Sequence, residues 1–132
     1  MFYLSLCLTI VWFIVMFWLS HQNGEHTKET SLNLSKKLKS SFFLKLDIAT
    51  LNNYLRKLAH IIVFTIFSIL FAITLVTGKL SPYLFILVVF WAWGDEKSKV
   101  FIKGRHFSWF DVLLNLLGVM IGVFCFILLG IK

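Results

Sequence analysis

The chain has 132 residues, of which 59% are hydrophobic and only 14% charged, with a mean hydropathy of +0.87. A soluble domain of this length cannot hide so much apolar surface, because soluble domains run nearer half apolar and a quarter charged; the composition indicates a single integral membrane domain over residues 1–132. In that setting the net charge of +7 points to anionic lipid headgroups or a phosphorylated ligand rather than to nucleic acid.

In chain order, residues 2–19 form the first expected span. The stretch has no basic leading region and no small-residue cleavage site, and its apolar core exceeds that of a signal peptide, so it reads as a retained helix. The loop from His21 to Lys57 follows. Leu34, Leu38 and Phe42 recur there at helical spacing among Lys36, Lys37 and Lys39. That pattern predicts a basic amphipathic helix lying on the membrane interface over the bundle mouth; the alternative is a solvated loop.

A helix rises about 1.5 Å per residue, so about 20 residues cross the hydrocarbon core. The second span is expected at 58–77, stopped by Gly78. The third is expected at 82–96, with Ser81 as N-cap and Pro82 in the first helical position. Its apolar part, Pro82 to Gly94, gives only about 20 Å of helix. Either the bilayer thins there or Asp95 and Glu96 are drawn below lipid level. The fourth span is expected at 109–131, and counting back about 20 residues from Ile131 reaches Asp111. With a tight connection at 77–81, the expectation is an all-α bundle of four transmembrane helices with an interfacial amphipathic helix in the first loop.

Antiparallel packing would gather Ser20, Gln22, Arg56, His60, Asp95, Glu96, Arg105, Asp111 and Asn115 on one membrane side. Of the 13 Lys and Arg residues, seven lie in 21–57 and four in 95–109. By charge count alone this polar face would be cytoplasmic.

Charged groups in or beside hydrocarbon tend to mark substrate paths and sites. Arg56 and His60 share a helix face at i, i+4, as do Asp111 and Asn115. His60, Asp95, Glu96 and Asp111 are therefore the candidate acid–base groups. Arg56, Lys57, Arg105, Asn115 and Gln22 are the candidate ligand-binding set, the arginines suited to phosphate or another anion. The competing reading is a closed ion-pair network that pins helix ends together. A metal site from His60, Asp95 and Asp111 lacks any ligand-spacing signature, and no cofactor is expected. Cys7 and Cys125 sit inside apolar runs and read as small hydrophobes. His21 and His106 read as loop residues, and Trp91, Trp93 and Trp109 as an interfacial aromatic belt. Gly118 and Gly122 form a GxxxG that predicts close helix packing. A transporter is disfavoured because the charges crowd one end and leave the midplane without an ionisable residue.

Several of these residues also form an ordered set of motifs. "RKLAH" supplies Arg56, Lys57 and His60, and "DE" supplies Asp95 and Glu96. Arg105, Ser108, Asp111, Asn115, Gly118 and Gly122 follow at regular intervals, and Ser20, Gln22, Gly24, Thr27 and Thr30 precede them. This order resembles the VanZ-like family of small bacterial membrane proteins over nearly the whole chain. Two positions depart from the family pattern, with Lys99 where Gln is usual and Val63 where an acid is common. The resemblance implies a multi-pass protein of the bacterial cytoplasmic membrane, with a link to low-level resistance to the glycopeptide teicoplanin. In many relatives a basic N-terminus would put the polar face outside, where the long loop would meet the cell wall. Membrane lipids are the implied surroundings. An anionic lipid, a lipid-linked cell-wall intermediate or a lipoglycopeptide is the implied ligand, and the alternative is an enzyme acting on a lipid phosphate.

Overall fold

Apolar runs bounded by a few polar punctuation residues become helices throughout the computed structural model, which describes residues 1–21, 32–37, 47–102 and 104–130. Helix α1 runs Phe2–Ser20. A short helical segment at 32–37, α2, follows, and α3 runs Ile48–Thr77. A 3-10 turn at Pro82–Phe85 leads into α4, Ile86–Ser98, and a second 3-10 turn covers Lys99–Phe101. Helix α5 is Trp109–Leu128. Among the described residues there is no strand.

Three helices are long and apolar enough to cross a membrane: α1, α3 and α5. The expected span at 82–96 departs from this set. Its first turn is 3-10, its α-helical part is 13 residues, and it continues past Glu96 to Ser98. The two carboxylates thus lie in its last turn, with two helical residues beyond them. Ser81 occupies the N-cap position with Pro82 behind it, but its side chain makes no capping bond.

The second span also begins earlier than 58. Asp47 Oδ2 accepts from Ala49 N at 3.2 Å and starts a 30-residue helix, roughly 45 Å long. Its first ten residues include Leu51, buried at 7% exposure, with Leu55 four further on. A count of about 20 residues back from Thr77 sets the start at Leu58 and leaves this amphipathic prelude in the loop. At the far end, α5 stops at Leu128 and not at 131, with a turn at 129–130. Within the first loop, the described helical part at 32–37 includes Leu34, while Leu38 and Phe42 lie outside the described residues.

The tightest pairing is α3 against α5. A Cβ on Gly118 would overlap the Ile61 carbonyl, and one on Gly122 would overlap Ser68 Oγ and the Thr65 carbonyl. The GxxxG therefore does what its spacing predicts: it lets two backbones meet. Thr65 Oγ1 donates to Gly118 O at 3.0 Å, and Ser68 Oγ reaches Val119 O at 3.4 Å across the same seam.

Helix α1 joins α3 differently. Ser5 pairs with Thr77 at 2.9 Å, Thr9 with Thr74 at 2.9 Å, and Trp12 Nε1 donates to Val63 O at 3.1 Å. Met16, Phe64, Phe67, Val88, Ala92 and Val119 form the core where four helices converge. Trp91 belongs here rather than to a belt: its ring lies 4.8 Å from Phe13 and 6.1 Å from Phe17. Trp93 and Trp109 are exposed, as a belt requires.

Candidate functional site

The end of α4 and the 3-10 turn that follows it carry the centre of the site. Asp95, Glu96 and Lys99 stand at i, i+1 and i+4, so the lysine stem runs back over both acids. Lys99 Nζ lies 3.2 Å from Asp95 Oδ2 and also bonds Glu96 Oε1. All three residues are 1–3% exposed. Burying three charges is tolerable only when they compensate one another with good geometry. The lysine, absent from the candidate residues of the sequence, is the group around which the two acids are organised. Its i+3 and i+4 spacing from Glu96 and Asp95 was the available signal.

His60 reaches the same point from α3, and Asn115 from α5. Asn115 is fully buried; its Nδ2 donates to Ala92 O at 3.0 Å, so its Oδ1 is left to accept from His60 Nδ1 at 2.8 Å. A carbonyl such as Ala92 O can only accept, which fixes the Asn115 amide orientation and in turn puts a proton on His60 Nδ1. In the neutral ring Nε2 is then an acceptor, available as a base toward a bound group. Glu96 Oε1 lies 3.8 Å from His60 Nδ1.

Asp111 stands in the first turn of α5, where Ser108 Oγ accepts from its backbone N–H at 3.3 Å. A carboxylate there also suits the positive end of the helix dipole. His60, Glu96 and Asp111 each offer one ligand atom, all within 4.8 Å of one another. Among the described residues, the triplet close enough to share an ion thus contains Glu96 in place of Asp95. The Lys99 ammonium already bonds Glu96 and supplies the positive charge that such an ion would bring.

A cavity of about 370 Å³ opens beside this cluster. Met16, Leu19, Leu55, Ala59, Val63 and Phe64 give it an apolar wall. Ser20, Arg56, His60, Asp95, Lys99 and Arg105 give it a polar side, and Leu34 of α2 lines it from the first loop. Ser35 Oγ, next along α2, approaches Asn52 Oδ1 at 3.5 Å, which sets this segment against α3. Arg105, in the connection between α4 and α5, is partly buried. Burial and the neighbouring Arg56 charge pull its pKa below the usual guanidinium value, partly opposed by Glu96, Asp95 and Asp111. Both arginines line the cavity.

The structure therefore brings together His60, Asp95, Glu96, Asp111, Asn115, Arg56 and Arg105. Lys57 goes elsewhere, with its ammonium 4.8 Å from the centre of the Phe110 ring. Gln22 lies outside the described residues. His21 has a positioning part: its ring stacks on Phe17 at 3.9 Å, and its Nε2 pairs with Ser98 Oγ at 2.9 Å. It ties the end of α1 to the end of α4. Two buried polar atoms facing this region, Ser20 Oγ and Asp95 Oδ1, make no hydrogen bond.

No curated protein and no solved structure matches the chain. A family model described as VanZ/LLP1 matches residues 5–130.

Proposed function

The chain belongs to the VanZ/LLP1 family, and from that premise we propose that it is a multi-pass protein of the bacterial cytoplasmic membrane whose cavity binds an anionic amphiphile. In this reading α4 and its leading 3-10 turn act as a short fourth span, and the bilayer adapts to it. The observation that carries the proposal is the cavity itself. One apolar wall suits a hydrocarbon chain, and Arg56, Lys99 and Arg105 line the other side. A lipid phosphate, a lipid-linked cell-wall precursor or a lipoglycopeptide has that two-part character. Tolerance to a teicoplanin-type antibiotic would follow if the protein sequesters or displaces such a molecule.

The test is binding of the purified protein in detergent to phosphatidylmethanol, which has two acyl chains and one phosphodiester charge, followed by native mass spectrometry. Diacylglycerol is the uncharged control. Micromolar or tighter binding of the charged lipid, reduced at least tenfold in Arg56→Gln and Arg105→Gln, is expected from the loss of charge-assisted hydrogen bonds. Equal retention of the two lipids would reject the proposal.

A second reading rests on the His60 tautomer. An imidazole oriented by Asn115, with Nε2 as acceptor, suits a base that takes a proton from water or a hydroxyl attacking a lipid phosphate held by Arg56 and Arg105. Lipid profiles of strains lacking and overproducing the protein distinguish the two: an unchanged lipid and precursor pool favours binding without turnover.

A further inference from the structure

The two unpaired atoms beside the cavity bear on what the bound head group must contain. Asp95 Oδ2 is taken by Lys99 at 3.2 Å, while Oδ1 of the same carboxylate is buried without a partner. Asp95 is 2% exposed. Ser20 Oγ, at the end of α1, is also buried and unpaired, and both residues line the same cavity. Their elements are held side by side, because His21, next to Ser20, pairs with Ser98 Oγ, which itself donates to the Asp95 carbonyl at 2.7 Å. A buried unsatisfied polar atom is destabilising by an amount comparable to a lost hydrogen bond, and few persist in folded proteins without a reason.

We infer that the amphiphile bound here carries a hydroxyl group next to its phosphate, as in a glycerol-phosphate or sugar-phosphate head, and that this hydroxyl is held between Asp95 and Ser20. The assignment rests on the amphiphile-binding reading above and narrows it. An ionised carboxylate oxygen only accepts, whereas a serine hydroxyl can donate. A ligand hydroxyl fits between them because it donates to Asp95 Oδ1 and accepts from Ser20 Oγ. An ammonium has no lone pair for Ser20, and at Asp95 it would meet the Lys99 charge across a single carboxylate. The phosphate falls to Arg56 and Arg105, which line the same cavity, and the acyl chain to its apolar residues.

The experiment compares four probes on the whole protein in detergent: phosphatidylglycerol, phosphatidylmethanol, phosphatidylethanolamine and soluble glycerol 3-phosphate. The first two carry the same charge and differ in the hydroxyls. Phosphatidylglycerol should bind at least tenfold tighter than phosphatidylmethanol, the gain expected of a hydrogen bond to a charged group. Soluble glycerol 3-phosphate should bind far more weakly, which identifies a lipid head and not a free phosphate as the ligand. Ser20→Ala should shrink the preference for phosphatidylglycerol over phosphatidylmethanol severalfold; Asp95→Asn should lessen it as well. Equal binding of phosphatidylglycerol and phosphatidylmethanol, as when water satisfies both atoms, overturns the hydroxyl assignment and leaves the anionic-amphiphile reading standing. A preference for phosphatidylethanolamine overturns it in favour of an amine. Failure of every lipid to bind removes both.

Discussion

Replacing Lys99 by Met removes the only lysine bonded to both Asp95 and Glu96 among the described residues. The side chains in these pairs are 1–4% exposed, so solvent screens them little. At 3.2 Å, with an effective dielectric near 20, the Lys99–Asp95 attraction alone is about 5 kcal/mol before desolvation is subtracted. Breaking a buried pair by removing one partner is destabilising by about 3–5 kcal/mol, because the remaining charge is left uncompensated. Lys99→Met should lose that much unfolding free energy in mixed micelles. Glu96→Gln should be destabilising by less, since Asp95 still neutralises the lysine. The double variant Glu96→Gln/Lys99→Met removes opposite charges together and should be at least 1–2 kcal/mol more stable than the sum of the single losses predicts. Lys99→Gln should fall between wild type and Lys99→Met because its amide can still donate to Glu96. If Lys99→Met unfolds within 1 kcal/mol of wild type, or if the single effects simply add, the three charges do not form the compensated unit described above.

Three further outcomes test other parts of the molecule. Gly122→Ala should destabilise the protein by about 1–3 kcal/mol through overpacking, and adding Ser68→Ala should recover part of that loss by removing one of the two overlaps; no recovery would mean that the Thr65 carbonyl sets the whole penalty. In ¹⁵N-histidine NMR, His60 should show the tautomer protonated at Nδ1, and Asn115→Leu should shift it toward the Nε2-protonated form or a mixture; an Nε2-protonated ring in the wild type would contradict the hydrogen-bond assignment. Replacing Ser5 and Thr9 together by Ala should lower stability by about 1 kcal/mol, following the roughly 0.6 kcal/mol average for interhelical hydrogen bonds in membranes; a loss above 3 kcal/mol would show that these hydroxyls carry more than the ordinary share.

Length arithmetic found the long apolar helices because a hydrocarbon slab imposes one dimension on any crossing segment. It also found the polar end, since antiparallel neighbours must bring His60, Asp95, Asp111 and Asn115 to one side. It missed the first ten residues of α3 because they are amphipathic, and cap and packing decide there: Asp47 starts them and buried Leu51 holds them. Lys57 enters the candidate set with Arg56 through the RKLAH motif, but adjacent helical residues point about 100° apart, and its ammonium lies over the Phe110 ring. Lys99 was legible as spacing but was weighed as a substitution within a motif. Ser20 Oγ and Asp95 Oδ1 could not be recognised beforehand, since an unpaired atom is a property of the assembled structure.

The three bonds from Ser5, Thr9 and Trp12 give α1 something its composition withholds. The helix is apolar on every side, and in a bilayer greasy surface has no preferred direction, so burial alone would let it spin about its long axis or slide along α3. Hydrogen bonds at residues 5, 9 and 12 sit on one stripe, and each has a single mate on the neighbouring helix. Together they act as a key cut for one lock position. They fix both azimuth and vertical offset, and so deliver Ser20, two turns past the last tooth, to the cavity that Asp95 also lines.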